Sequence, residues 1–298
     1  MWVGLALLSA MFLGFYDVSK KHSLRDNAVI PVLWLHILFC SLIMAVPTIL
    51  SASGGITEGS AMYVPSCGWN VHRLIVLKAA IVLGSWIFGY FGMKHLPITL
   101  FGPINATRPI LVLVGGLLVF GERLNVYQWI GVLIAVVSFL MLSVSGKKEG
   151  IDFRRDRWVW FAIAATLLGA VSALFDKSLL GHLDNMFVQA WSNFYQLLFM
   201  TAVLFLLWWP SRSSTTPFRW KWSIPLISLF LTLADYAYFC SLSSCDSMIS
   251  IVSMIRRSSV IVSFACGALL FREKNMQSKI VDLILLVLGL AFLLKGSM

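Results

Sequence analysis

Three arginines fall where the chain is otherwise most apolar: Arg108, and the adjacent pair Arg256 and Arg257. Each stands about ten residues inside a hydrophobic run of roughly 24, so at ~1.5 Å per residue each is expected near the middle of a bilayer. An arginine at that depth costs at least ~2.5–3.5 kcal/mol and marks a functional site by default. A guanidinium is a planar fork that stays charged, and it pairs bidentately with phosphate or carboxylate. The chemistry these residues offer is therefore recognition of an anion. Nothing in the sequence offers turnover. There is no acid–base pair, nucleophile constellation, phosphate-cradling glycine loop or metal-ligand spacing, and His72 and His95 are isolated. The five cysteines lack CxxC spacing and read as small apolar packing residues. No catalytic residue, metal or cofactor is expected, and the chain is not read as an enzyme.

Other polar residues fall in apolar surroundings. Asp235 stands in Leu-Ala-Asp-Tyr-Ala-Tyr. Two readings stay open for it: a carrier of a coupling proton, or the permanent charge partner of an arginine. In the second case the cluster holds one net positive charge fewer. Tyr236 is a candidate hydrogen-bond donor to a ligand. Gln189, Asn193 and Gln196 recur at helical spacing and form a polar stripe on one face, with Tyr195 close by. His36 is either a satisfied core histidine or a proton relay. Asp17 and Asp176, each followed by a lysine within four residues, are expected to cap or pair at helix ends. Glu122 and Glu273 are expected to fix the turns that follow them.

The elements that must position these residues are long apolar helices. Of 298 residues, 59% are hydrophobic and 12% charged, against about 25% charged in a soluble domain. Mean hydropathy is +0.87. The fold class is an all-α polytopic membrane protein. Spanning runs fall near 2–18, 29–50, 73–93, 97–120, 126–145, 158–179, 186–209, 222–243, 247–271 and 279–296. The N-terminal run lacks a basic leader and a small-residue cleavage site, so it reads as a retained helix. The charged segment 146–157 divides the chain into a first five-helix unit, 1–145, and a second, 158–298.

The units resemble each other. Asp17 near the end of the first run aligns with Asp176 near the end of the sixth. Phe-Gly-Glu-Arg-Leu-Asn at 120–125 aligns with Phe-Arg-Glu-Lys-Asn at 271–275. A duplicated unit with an odd number of spans is inserted in opposite orientations. Two inverted five-helix repeats with a midplane site between them are expected, an architecture common among transporters. The repeat places Arg108 and the Arg256/Arg257 pair on equivalent helices at matching depth.

The net charge of +10 sits mostly in short connections, which fits membrane topology rather than nucleic acid. Most of these cations, including Lys147, Lys148, Arg154, Arg155 and Arg157, fall on one side. The positive-inside rule makes that side cytoplasmic and puts both termini outside the cytoplasm.

Ten helices in five-plus-five halves, Pro109, and the Gly-Glu-Arg-Leu element at 121–124 resemble the drug/metabolite transporter superfamily, EamA-like branch. The likeness covers nearly the whole chain. Met254-Ile255-Arg256-Arg257-Ser258-Ser259-Val260-Ile261-Val262 is similar to the paired-cation segment of triose-phosphate and sugar-phosphate translocators, where such cations bind substrate phosphate. Arg256, Arg257 and Arg108 match those roles, although Arg108 stands about one turn later than the family's cation on that helix, near Asn105. The resemblance implies a secondary transporter in a bacterial inner membrane, working by alternating access on a small organic anion that bears phosphate. Family members usually keep their termini in the cytoplasm, opposite to the charge-based orientation here. An amino-acid or metabolite exporter, a flippase for a lipid phosphate, and a membrane receptor or structural subunit stay open. Partners are the anionic solute and membrane lipids, as a monomer or homodimer.

Overall fold

The computed structural model describes residues 2–95, 104–105, 107–144, 156–213, 215–259, 261–262 and 276–297. Most of the 146–157 connection, Cys266 and Glu273 lie outside the described residues, as do the early part of the fourth run and the later part of the ninth. The first half contributes α1 (Trp2–Leu24), α2 (Val29–Ala52), α3 (Trp69–His95), α4 (Arg108–Val119) and α5 (Val126–Val144). The second contributes α6 (Arg157–Leu180), α7 (Asn185–Val203), α8 (Ser223–Leu242), α9 (Ile249–Arg257) and α10 (Met276–Ser297). Six of the described helices are long and apolar enough to cross a membrane. Their outward faces carry large exposed apolar side chains, such as Trp160, Leu206 and Ile49. Such surface is tolerable only against lipid.

Helix ends follow local chemistry. Asp156 accepts from the Trp158 N–H at 2.8 Å and caps α6. Asp184 accepts from Met186 at 2.8 Å and Phe187 at 3.3 Å and caps α7. Beyond Val203, α7 passes through a π-turn at Leu204–Trp208 before Pro210. Proline has no N–H to continue the helical ladder and its ring crowds the preceding turn.

The arginine helices break where the charges are. The described α4 starts at Arg108, with Pro109 in its first turn and Thr107 in a turn before it. Proline suits that position because its missing N–H would be unpaired there anyway. α9 ends at Arg257, with Ser258 in a turn. Arg256 and Arg257 thus occupy its last turn, where cations oppose the carbonyl end of the helix dipole. All three arginines therefore stand at helix ends instead of mid-helix.

The helices pack mainly across the halves: α1 on α8, α3 on α6, α5 on α10, α2 on α7, and α4 on α9. Small residues and hydroxyls allow the close approach. Ser9 Oγ donates to the Ala234 carbonyl at 2.7 Å, and Ser85 Oγ to the Ala165 carbonyl at 2.8 Å. A Cβ on Gly131 would meet the Gly289 carbonyl at 2.8 Å, so α5 and α10 cross glycine on glycine. Two faces follow from the alternating helix directions. The α1–α2 and α7–α8 connections meet on one, where Asn27 Nδ2 donates to the Arg219 carbonyl at 2.7 Å and Lys221 Nζ to the Arg25 carbonyl at 2.7 Å. The α2–α3, α4–α5, α6–α7 and α8–α9 connections lie on the other. Lys78 is buried within α3 at 3% exposure.

Candidate functional site

A cavity of about 1150 Å³ runs between α1, α3, α4, α6, α7, α8 and α9. Its wall includes Arg25, Asp26 and Asn27 from the α1–α2 connection, and Arg25 and Asp26 are exposed. No residue of the α2–α3, α4–α5, α6–α7 or α8–α9 connections is on the wall among the described residues. The cavity is thus open to the α1–α2 face and closed to the other.

Arg108, Arg256 and Arg257 all line this cavity, though their environments differ. Arg256 is ion-paired with Asp235 through Nη2 and Oδ1. Its guanidinium also stacks on Tyr238, 4.1 Å from the ring centroid. Arg108 Nη2 donates to the Gly169 carbonyl at 2.8 Å, and no carboxylate among the described residues comes within 4.0 Å of its nitrogens. Arg257 makes no hydrogen bond or ion pair among the described residues. Its electrostatic counterpart is Asp17 of α1, also on the wall. Lys20 adds a further cation, with Nζ 4.4 Å from the Tyr90 ring centroid.

Gly169 shapes the seat of Arg108. A Cβ there would stand 2.7 Å from Arg108 Cζ and 2.9 Å from Nε. Gly169→Ala is therefore expected to push the guanidinium off α6 and, if Arg108 holds an anion, to weaken that binding about tenfold, as loss of one charge-assisted hydrogen bond implies. Isothermal titration of the variant checks this. Unchanged affinity would show that the notch is irrelevant to binding.

The second charge cluster was only partly visible from spacing. Asp176 does not pair at its helix end with Lys177. It forms an ion pair with Lys78 across the α3–α6 contact, Oδ1 lying 3.0 Å from Nζ, with both side chains at or below 9% exposure. The Phe239 ring lies 4.4 Å from the same ammonium. Lys177 turns away and donates to the Ser247 carbonyl at 2.6 Å and Ser247 Oγ at 2.7 Å. A lysine at the sixth position of the apolar run 73–93 was the available signal.

Gln189, Asn193 and Gln196 of α7 line the cavity together with Ser192. Gln189 Nε2 donates to the Thr232 carbonyl at 2.8 Å, tying α7 to α8. Three expected site residues are placed elsewhere. Tyr195 is six residues from Gln189, off the stripe at ~100° per residue, and its hydroxyl meets His72 Nδ1 at 3.0 Å. Tyr236 points away from its neighbour Asp235 and donates to the Ala61 carbonyl at 3.3 Å in the α2–α3 connection. Tyr238, three residues on from Asp235 and so on its face, takes the place on the wall. His36 is buried between Tyr16 and Trp86, its ring 5.9 and 5.8 Å from theirs, and is not on the wall. Its Nδ1 meets Ser228 Oγ at 3.2 Å.

These features define a multi-pass helical membrane protein built around a charged central cavity with one open end. Residues 1–144 and 156–295 match the EamA-like transporter family. The chain belongs to that family, whose members are membrane transporters of small molecules. Among solved structures, one crystal structure of a protein superimposes with a TM-score of 0.72 at 14% identity, covering 100% of this chain and 98% of that one. At that identity the likeness concerns the fold. A stretch of 66 residues, 22% of the chain, is 38% identical to a lipoprotein signal peptidase of Pseudomonas syringae pv. tomato (strain ATCC BAA-871 / DC3000). That match spans only 36% of the peptidase's own length.

Proposed function

We propose that the chain is a secondary transporter of a small phosphate-bearing organic anion, held in the cavity by Arg108 and Arg257 and released by alternating access. One observation carries the reading: two guanidinium groups stand on the wall of a membrane-depth cavity with no carboxylate in ion-pair contact among the described residues. Cations without a contacting carboxylate in low dielectric are costly, and an anionic solute offsets that cost. Arg256, already paired with Asp235, acts as scaffold for Tyr238 and for the end of α9. The cavity thus offers two guanidinium forks, which suits a dianion.

The two halves form an inverted repeat. What supports this is the set of helix contacts: exchanging α1–α5 for α6–α10 turns α1–α8 into α6–α3, α3–α7 into α8–α2, and α4–α6 into α9–α1, all of which occur. The contacts cross the halves, so the moving bodies are mixed bundles and not one half against the other. The protein resides in a bacterial inner membrane, with the more basic α1–α2 face in the cytoplasm and both termini outside it. A tag at Met298 that is accessible only from the cytoplasm would reverse this orientation.

Reconstitution tests the substrate. Proteoliposomes should take up phosphorylated three- to six-carbon solutes, and uptake should disappear in Arg108→Ala. Equal uptake of a neutral solute by parent and variant would sink the anion reading. Export of an amino acid is the second reading, favoured by the Asp17 carboxylate on the same wall. It requires zwitterions to compete and phosphorylated solutes not to.

A further inference from the structure

The Gly-Glu-Arg-Leu element after α4 is a sequence signature that the anion site leaves unused. Glu122 was expected to fix its own turn into α5. Its carboxylate instead reaches the other half of the molecule. It accepts from the Ile249 N–H at 2.5 Å, from the Ser250 N–H at 3.2 Å, and from Ser250 Oγ. These are the first residues of α9, and Met248 at its N-cap supplies no side-chain cap. A helix start carries unpaired N–H groups and the positive end of the dipole. A carboxylate borrowed from another helix connection satisfies both.

The backbone is shaped for this contact. Gly121 has φ +62°, a left-handed conformation that glycine adopts without strain. Gly116 leaves the space: a Cβ there would run into Ser250 Oγ and would stand 2.6 Å from Glu122 Oε2. The capped helix is the one that ends in Arg256 and Arg257. Ser253, between the cap and the arginines, is on the cavity wall. The contact joins the α4–α5 turn to α9 on the face where the cavity is closed.

We propose that Glu122 is the latch that closes the cavity opposite its mouth, by serving as the N-cap of the helix that carries Arg256 and Arg257. It is a positioning residue and touches no solute. The proposal rests on the alternating-access reading, because opening that face requires the α4–α5 turn to leave α9.

Thiol accessibility tests it without any substrate. The five native cysteines are replaced, Ser253→Cys is introduced, and vesicles of both orientations are treated with a membrane-impermeant maleimide. With Glu122 intact, labelling should come almost wholly from the α1–α2 face. In Glu122→Ala, labelling from the opposite face should rise about tenfold, the shift expected from losing one net charge-assisted hydrogen bond. Ser250→Ala removes only the hydroxyl contact and should give a smaller rise in the same direction. If Glu122→Ala does not accumulate, Ser250→Ala decides alone. Labelling from the closed face equal to that of the parent in the variants obtained would overturn the latch. Neither outcome depends on the identity of the solute, so failure of the phosphate assays leaves this result readable.

Discussion

Arg257→Ala should weaken binding of a phosphate-bearing solute by about a hundredfold, while Arg256→Ala should cost mainly stability. The contrast comes from what each guanidinium already holds. Arg257 makes no hydrogen bond or ion pair among the described residues and lines the cavity. Its fork is available for two charge-assisted bonds, together worth ~3 kcal/mol net, or about two decades in affinity. Arg256 is committed to Asp235 and Tyr238. Removing it strands a half-buried aspartate and loosens α8 against α9. Titration calorimetry with a phosphorylated solute, alongside a thermal melt of each variant, separates the two effects. Equal affinity losses in both variants, with unchanged melting points, would mean that Arg256 is also a ligand and that Asp235 yields it on binding.

Lys78→Ala should lower stability by ~3–5 kcal/mol, because breaking a buried ion pair leaves an uncompensated charge behind. Lys78 and Asp176 are among the least exposed charges described, at 3% and 9%. The double variant Lys78→Met with Asp176→Leu removes both charges and should recover most of the loss, since apolar replacement of a whole pair is close to neutral. Denaturation in mild detergent reads this directly. Should Lys78→Ala prove as stable as the parent, the pair would be dispensable to the fold and free to open during transport.

The proposed repeat explains why Asp176 is ion-paired with a lysine of the helix it faces, while Asp17 has no such lysine among the described residues of α8. The spacing that carries Tyr90 onto Tyr238 also carries Arg108 onto Arg256, and Lys78 onto Leu226. Asp176 on α6 therefore faces a lysine on α3. Asp17 on α1 faces α8, where the matching residue is leucine. It is left on the cavity wall, coupled to Lys20 and Arg257. Divergence of one position between the halves thus decides which of two cavity-lining carboxylates is held in a buried ion pair with the facing helix.

Much of the site was legible from residue types and depth. A charge inside an apolar run is expensive wherever the run packs, so Arg108, Arg256, Arg257 and Asp235 declared themselves before any fold was known. The polar stripe of α7 was legible for a similar reason, because helical periodicity fixes which residues share a face. Periodicity also separates Tyr238 from Tyr236 and Gln196 from Tyr195, but only once the direction of one face is known.

The sequence by itself determined the class of protein, the number of apolar runs, and the arginines as the charges to be explained. Those follow from composition and local spacing, which act along the chain. Partner choice acts across it. Only the tertiary structure decided that Asp235 belongs to Arg256, that Asp176 belongs to Lys78, and that Glu122 caps a helix in the other half. Each pairing depends on which helix faces which, and the α8–α9, α3–α6 and α4–α9 contacts join residues from different helices. The same long-range packing left Arg257 without an ion pair among the described residues and brought the cavity to the α1–α2 face.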